Sequence, residues 1–230
     1  MQIHGFNKTT LLDYPGLVAA TVFTGGCNFR CPFCQNSDLV LDPMSQPLIP
    51  EEDVLSHLAK RKGITAGVCI TGGEPTLQPD LRDFIIKLRA LGLKVKLDTN
   101  GYRPEILGSL LDEGLLDYVA MDIKSSPEGY DKVAGVPIDM ERIKESVHLL
   151  INGNIPYEFR TTVVRELHGE AEMKGIADLI DGAERYYLQG YEDSDRVMCR
   201  GYSAYSKDEL EIFLKIFFEK VKHVEIRGVE

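Results

Sequence analysis

Apolar runs of strand length alternate with amphipathic stretches of helix length along most of this chain. The runs are short and rich in β-branched residues, whereas the stretches between them repeat apolar residues at a spacing of three and four. The predicted strands are 17–23, 67–71, 93–97, 118–121, 157–164 and 186–188, with a short one at 224–226. Strands that alternate with helices form a parallel sheet with right-handed crossovers. The pattern therefore predicts an α/β fold.

Helix signals fall between the predicted strands. Helices are predicted near Pro50 (with the proline at the first position), near Pro79, after Pro104, around Ile143 and Val147, near Ala171 and after the capping-box residue Ser206. Six strand–helix units fit a partial (β/α)6 barrel of the TIM type, open on one side, because a full eight-unit barrel needs about 250 residues. A flat doubly wound sheet is the alternative. We expect residues 1–230 to form a single domain.

Charge and hydropathy argue against two classes of partner. The formal net charge is −10, and phosphate backbones attract basic proteins, so no nucleic acid partner is expected. No apolar run approaches the ~20 residues that cross a bilayer, so no membrane association is expected. The first residues lack the layout of a signal peptide. Because five cysteines, an odd number, do not suit a disulfide scaffold, we expect a cytoplasmic protein.

Three cysteines within eight residues give the strongest chemical signal: Cys27, Cys31 and Cys34, spaced C-x3-C-x2-C. Thiolates are the usual ligands of a cubane iron–sulfur cluster, and three of them would leave one of its four irons open. An open metal position is typical of a catalytic site. A zinc site is the alternative, although zinc normally takes four ligands. Cys69 is predicted to be a buried strand residue, and the role of Cys199 is open.

Polar clusters follow the carboxyl ends of the predicted strands. They are Gly72-Gly73-Glu74 after the second strand, 98–101 after the third, 122–124 after the fourth, Arg160 within the fifth and Tyr191 after the sixth. In α/β barrels the carboxyl ends of the strands carry the active site. We therefore expect these side chains and the three cysteines to line one pocket.

These segments resemble a known family. The cysteine motif, with Phe33 before its last cysteine, resembles the cluster motif of the radical S-adenosylmethionine enzymes, and Gly72-Gly73-Glu74 resembles their second motif. The segments 98–101 and 122–124 resemble the glycyl radical enzyme activating enzymes. The opening 5–16 and the ending 225–229 are similar to the short group that acts on anaerobic ribonucleotide reductase or pyruvate formate-lyase. The resemblance covers essentially the whole chain.

The resemblance implies two cofactors and a reaction. The three cysteines would hold a [4Fe–4S] cluster and act in catalysis through it, and its open iron would bind S-adenosylmethionine. Reductive cleavage would give a 5′-deoxyadenosyl radical, which would remove a hydrogen atom from a glycine of a partner glycyl radical enzyme. A flavodoxin or ferredoxin-type protein would donate the electron.

The same resemblance assigns further residues to cofactor binding. The set is Phe33, Gln35, Gly72, Gly73, Glu74, Asp98, Asn100, Asp122, Lys124, Arg160 and Tyr191. The turn with Glu74 would accept hydrogen bonds from the methionine ammonium, and Lys124 would contact the carboxylate or the ribose. Arg160, in an apolar strand, should pair either with the cofactor's carboxylate or with a structural one. Two places depart from the pattern of the family. Gln35 stands where a histidine often follows the third cysteine, and the region of Tyr191 lacks the histidine found there in pyruvate formate-lyase activating enzymes. Contacts to the ribose and adenine should therefore differ from those in that family.

A monovalent cation is also predicted, at Asp98, Thr99 and Asp122. Two carboxylates at neighbouring strand ends repel each other unless a positive charge lies between them, and the matching segments of pyruvate formate-lyase activating enzymes hold such a cation.

Two other functions are compatible with the sequence. One is radical chemistry on a small molecule, as in carboxy-deazaguanine synthases, which are similarly short. The other, of a different class, is a non-catalytic metal or electron-transfer module. Iron and sulfide analysis with an assay of S-adenosylmethionine cleavage would distinguish the second from an enzyme.

Overall fold

The structure, a computed structural model, describes residues 1–229. Its strands follow one another in chain order within an eight-stranded sheet. They are β1 (Ile3–Thr10), β2 (Ala19–Thr24), β3 (Gly67–Gly72), β4 (Lys94–Thr99), β5 (Tyr118–Asp122), β6 (Tyr157–Val163), β7 (Arg185–Gly190) and β8 (His223–Arg227). β2, β3 and β4 pair in parallel, as do β6, β7 and β8, whereas β1 runs antiparallel to β2.

Helices separate most of the parallel strands. They are α1 (Ser37–Leu41), α2 (Glu51–Lys60), α3 (Leu81–Ala90), α4 (Pro104–Asp112), α5 (Tyr130–Ala134), α6 (Met140–Ile151), α7 (Glu170–Leu179) and α8 (Lys207–Leu214). Their apolar stripes are buried: on α3, for example, Leu81, Phe84 and Leu88 are at most 2% exposed, so one face of the helix covers the core. No helix among the described residues is long and apolar enough to cross a membrane.

The described residues divide into two compact units. The first contains Met1–Asn28, Asn36–Thr99 and Glu105–Val119, and the second contains Phe29–Gln35, Asn100–Pro104 and the residues from Ala120 onward. Whether the chain folds as the single domain expected for residues 1–230 is not tested by this division, so that expectation stays a prediction.

Each unit has its own buried apolar residues. In the first unit, Val68, Ile70 and Leu97 of the strands are fully buried. In the second, the rings of Tyr186 and Phe217 lie 4.5 Å apart between centroids, and both are fully buried. Strands that are apolar on both faces are typical of parallel sheets, and this is why they can be recognised in the sequence.

The predicted fold class, an α/β fold of the partial TIM-barrel type with parallel strands, is confirmed. Within the described residues β1 and β8 are the first and last strands in the order of the sheet. β1 was missed by the sequence analysis, because most of its residues are half-exposed or exposed and form no apolar run.

The structure corrects several details of the prediction. Pro50 is the N-cap of α2 and not its first helical residue: its ψ of 134° is extended, while its carbonyl accepts the first helical hydrogen bonds from Asp53 and Val54. Gly72 ends β3, Asp98 and Thr99 are the last two residues of β4, and Asp122 ends β5. These four residues therefore belong to strands and not to the loops that follow.

Candidate active site

The cysteine segment lies between β2 and α1. Cys31 is buried, and Cys27 and Cys34 are half-buried; all five cysteines of the chain are thiols. Cys34 donates its backbone N–H to the carbonyl of Cys31 at 3.0 Å, and Pro32 occupies the second position of this turn, which its fixed φ favours. The spacing C-x2-C is therefore the spacing of a single β-turn, with a thiol at each end.

The second unit fixes this turn through α5. Arg30 donates its N–H to the carbonyl of Ala134 at 2.7 Å, at the end of α5. The next residue, Gly135, has a φ of +70°, and a Cβ there would lie 2.2 Å from the carbonyl oxygen of Arg30. Phe29 is buried with its ring edge-on to that of Tyr130. A main-chain contact that only glycine permits thus sets the path of the cysteine segment.

A later segment of the second unit also pairs with the turn. Met198 donates its N–H to the carbonyl of Cys34 at 3.1 Å, and Cys199 donates its N–H to that of Pro32 at 2.8 Å. Gln35 donates its side-chain amide to the carbonyl of Glu192 at 3.0 Å. Tyr191 is buried, and its hydroxyl donates to Asp193 at 3.1 Å. Gln35 and Tyr191 therefore have structural partners in this unit.

Burial affects the chemistry of the thiols in the turn. It raises the pKa of the Cys31 thiol to about 11, although Lys124 opposes the shift. A cysteine that binds a metal is a thiolate, so a cluster bound at Cys31 would displace this proton. Among the described residues, no group of three His, Cys, Asp or Glu side chains is placed to hold a single metal ion.

In the first unit, the turn after β3 lies directly on the main chain before Cys27. Gly73 donates its N–H to the carbonyl of Thr24, and Glu74 donates its N–H to that of Gly26, both at 2.8 Å. A Cβ on Gly73 would lie only 1.9 Å from the oxygen of Gly26, and Gly72 has a φ of +115°. The two glycines allow the backbones to touch.

Glu74 is almost fully buried and binds its own neighbours. Its Oε1 accepts hydrogen bonds from the N–H of Thr76 at 3.0 Å, from the Thr76 hydroxyl at 2.6 Å and from the Thr99 hydroxyl at 2.8 Å. The carboxylate thus connects the turn to the end of β4. That Glu74 and the nearby carbonyls of the turn accept hydrogen bonds from the methionine ammonium stays a prediction.

Asp98 has a cationic partner on its own strand. The ammonium of Lys96 donates to Asp98 Oδ1, and the Cys69 thiol lies 3.5 Å from the same oxygen. Asn100, two residues after Asp98, is buried in the second unit, where its Oδ1 accepts the N–H of Tyr102 at 3.0 Å and closes a turn. Sequence analysis missed Lys96, although its position two residues before Asp98 places it on the same face of the strand.

Asp122 in the second unit has two cationic partners. Lys124 donates to its Oδ2 at 2.9 Å, and Arg160 donates its Nε–H to Oδ1. Burial alone would raise the pKa of Asp122, but the two cations overcome it and hold the pKa well below its usual range. The Asp122 carboxylate in turn outweighs burial and raises the pKa of Lys124. Arg160 was expected to pair either with the carboxylate of the cofactor or with a structural carboxylate, and in the structure it pairs with the carboxylate of Asp122.

A buried histidine supports this group, and the sequence analysis missed it. His168 accepts the N–H of Val164 at its Nδ1 at 3.0 Å, so the ring proton is on Nε2, which donates to the carbonyl of Lys124 at 2.8 Å. Its ring lies edge-on to that of Phe33, at 6.3 Å between centroids. Val164 is only four residues away, but Lys124 and Phe33 are distant in sequence, so no local pattern indicated its role.

Comparisons with known proteins give the family. The model of the Radical SAM superfamily matches residues 21–180. A protein of Methanocaldococcus jannaschii named "Putative glycyl-radical enzyme activating enzyme" is 32% identical over 200 residues, covering 84% of this chain and 81% of that one. The pyruvate formate-lyase-activating enzyme of Clostridium pasteurianum is 33% identical over 58% of this chain and 57% of its own.

Other relatives share a smaller part. A "Probable GTP 3',8-cyclase" of Thermococcus kodakarensis is 31% identical over 147 residues, and the match covers 63% of this chain but only 47% of the cyclase. Among solved structures, a domain of a pyruvate-formate lyase-activating enzyme from Bacteroides vulgatus superposes with a TM-score of 0.58 at 21% identity, covering 71% of this chain and 99% of that one. Streptococcus suis SuiB bound to S-adenosylmethionine gives 0.65 at 15% identity, over 88% of this chain and 48% of that one.

The family model covers most of the chain, and the Methanocaldococcus relative is similar over most of both lengths. This chain belongs to the Radical SAM superfamily, a family of enzymes that implies a [4Fe–4S] cluster and S-adenosylmethionine as cofactors.

Proposed function

We propose that this protein activates a glycyl radical enzyme, of the anaerobic ribonucleotide reductase or pyruvate formate-lyase type. The observation that carries the proposal is the near full-length similarity to the Methanocaldococcus protein of that name, at 32% identity over 81% of it. The pyruvate formate-lyase-activating enzyme supports the same class over a shorter stretch. The protein substrate would be a loop that presents a glycine.

In this proposal Cys27, Cys31 and Cys34 would hold the [4Fe–4S] cluster. The cluster would supply the one electron that cleaves a C–S bond of S-adenosylmethionine, and the products would be methionine, 5′-deoxyadenosine and a radical at the glycine Cα of the partner. The β-turn and the α5 contact position two of the thiols. Burial of Cys31 and Phe33 keeps water from this side of the segment.

The Asp122 group is proposed to bind the cofactor's carboxylate. Lys124 and Arg160 both pair with Asp122, so two cationic side chains lie together here. A carboxylate ligand would accept charge-assisted hydrogen bonds from such cations. His168 holds the backbone of Lys124 and so positions its ammonium. A flavodoxin or ferredoxin-type protein remains the proposed electron donor.

The test is the product radical itself. The reconstituted, reduced protein is incubated with S-adenosylmethionine and with each glycyl radical enzyme encoded near its gene. We expect a glycyl doublet in the EPR spectrum and one equivalent of 5′-deoxyadenosine. A partner with its radical-forming glycine changed to alanine, and the Cys31→Ser variant of this protein, are the matched controls and should give no doublet. No doublet with any partner, despite active cleavage of S-adenosylmethionine, would refute the proposal.

A second candidate is GTP 3',8-cyclase activity, because several relatives carry that name. This chain matches about half of their length, so the similarity covers only the part that the two groups share. Incubation with GTP decides between the two. A cyclised nucleotide formed without any protein partner would favour the cyclase. The carboxy-deazaguanine synthase alternative stays a prediction that can be tested in the same format.

A further inference from the structure

Strand β4 contains a lysine where a strand in a sheet core would normally carry an apolar residue. The side chain of Lys96 is only 3% exposed, and that of Asp98, two residues later on the same face, is 11% exposed. Their ion pair is therefore nearly removed from solvent. Burying an ammonium and a carboxylate removes both ions from water at a large free-energy cost, and the pair is often no more stabilising than apolar residues would be. Such a pair calls for a reason other than stability.

The neighbours of Lys96 form a small polar group in the first unit. Cys69 is its register partner on β3, and the Cys69 sulfur lies 3.7 Å from the lysine Nζ. The ring centroid of Tyr118, on β5, lies 5.9 Å from Nζ, within reach of a cation–π interaction. A carboxylate, a soft sulfur and an aromatic ring thus surround one positive charge.

This arrangement does not fit the cation predicted at Asp98, Thr99 and Asp122. Asp98 already receives the ammonium of Lys96, and the Thr99 hydroxyl donates to Glu74. Asp122 has its own two cations, Lys124 and Arg160. The cation was expected because Asp98 and Asp122 would repel each other. Lys96 already neutralises Asp98 in the first unit, and Lys124 and Arg160 already neutralise Asp122 in the second, so that reason no longer applies.

We propose that Lys96 is a built-in replacement for the monovalent cation. Its ammonium supplies to Asp98 the single positive charge that an alkali-metal ion would otherwise bring, so the protein requires no alkali-metal ion. The inference rests on the proposed function in one respect: it takes Asp98 to be part of the S-adenosylmethionine site.

The experiment measures whether alkali-metal ions bind. Thermal unfolding of the anaerobically reconstituted protein is followed at constant ionic strength in potassium, sodium or tetramethylammonium chloride. We expect the wild-type Tm to be the same in all three salts. In Lys96→Met, which keeps an unbranched side chain one atom shorter and removes its charge, we expect a lower Tm that potassium or sodium raises by at least about 2 °C over tetramethylammonium. Lys94→Met, at an exposed position on the same strand, is the control and should show no preference.

The second measurement needs no partner enzyme. Formation of 5′-deoxyadenosine by the reduced protein alone is compared in the same salts, so failure to activate a glycyl radical enzyme cannot be mistaken for failure of this inference. Wild-type activity independent of the salt is expected. Specific stimulation or stabilisation of the wild-type protein by an alkali-metal ion would overturn the proposal, and this arm decides it even if Lys96→Met does not fold. A folded Lys96→Met that gains no preference for alkali-metal ions would overturn it as well.

Discussion

Gly73 has almost no space for a side chain. A Cβ built there lies 1.9 Å from the carbonyl oxygen of Gly26, whose backbone leads into Cys27. The obstacle is backbone and not the end of a flexible side chain, so it cannot move aside without displacing the segment that carries the cysteines.

Gly73→Ala should therefore lower the free energy of unfolding by more than about 3 kcal/mol and reduce the iron content after reconstitution. Gly92→Ala is the control. Gly92 has a φ of +80° and open space around it, so alanine there should cost about 1–2 kcal/mol of backbone strain alone. Urea unfolding and iron analysis of both variants test the difference. Equal destabilisation by the two substitutions would show that the contact with Gly26 is unimportant.

His168 should remain neutral in the folded protein. Burial lowers its pKa, although its hydrogen bonds to Lys124 and Val164 oppose the shift. Because the folded-state pKa is below that of the unfolded chain, stability should be highest above pH 6.5 and should fall as the pH drops below it, where only the unfolded state takes up the proton.

The variant His168→Gln removes this contribution. At pH 8 we expect it to be less stable by about 1–3 kcal/mol, because the buried backbone groups of Val164 and Lys124 lose good partners. The difference from the wild-type protein should shrink as the pH is lowered from 7 to 5. Urea unfolding at several pH values measures it, and a difference that stays constant or grows would contradict a neutral buried imidazole.

At the scale of single elements, the start of α8 is specified by a short local sequence, the capping box of Ser206 and Glu209. Ser206 is its N-cap, and the Ser206 hydroxyl accepts the N–H of Glu209. The Glu209 carboxylate in turn accepts the N–H of Ser206 at 2.8 Å. Arg165 adds two hydrogen bonds to the same carboxylate, at 2.8 and 2.6 Å. The capping box was predicted from sequence and is confirmed, whereas the arginine, 44 residues away, could not be predicted.

The pKa of Glu209 follows from these contacts. The guanidinium of Arg165 and the groups of Ser206 lower it from 4.5 to about 2. The carboxylate therefore stabilises the helix fully above pH 4.5, and this contribution is lost as the pH falls towards 2. We expect Glu209→Gln to be destabilised at pH 7 and to approach the wild-type stability only as the pH falls towards 2. Unfolding of the metal-free protein tests it, with Glu211→Gln, exposed on the same helix, as the control.

Elements that were missed share a physical cause. The helix α5 has five residues, too few for a periodic pattern, and it is fixed by burial and by Gly135 at its end. The strand β1 depends on antiparallel pairing with β2, which is a non-local interaction. The ordered alternation of apolar runs was readable because parallel strands are buried on both faces.

For the whole molecule, cluster binding should be coupled to stability. The ligands must be deprotonated and brought together, so binding energy contributes to folding. Anaerobic reconstitution should load about four irons with matching sulfide and raise the Tm, and a chelator should reverse both. Cys27→Ser, Cys31→Ser and Cys34→Ser should each lower the iron content.

The remaining cysteines provide the matched controls for that prediction. Cys69→Ser and Cys199→Ser should keep the iron content of the wild-type protein, because Cys69 packs in β3 and Cys199 contacts the cysteine turn through its backbone. Full iron loading without any one of the three clustered cysteines would contradict the assignment of ligands.

The sequence predicted which residues lie at the site better than it predicted their contacts. The types of residue at the strand ends could be listed from motifs, but the partners of those residues could not. Glu74 binds Thr99, and Asp122 binds Arg160, across 25 and 38 residues respectively. Hydrogen bonds of this kind depend on strand register, which a single sequence does not reveal.

The backbone contact between Gly26 and the turn of Gly73 and Glu74 also bears on how such a chain can change over evolution. No side chain separates the two loops, so none can shrink or grow to absorb a difference in loop length. An inserted or deleted residue between Thr24 and Cys27, or between Gly72 and Glu74, would break two backbone hydrogen bonds at once. Insertions and deletions among descendants of this sequence should therefore fall outside both stretches, while the loops vary only by substitution.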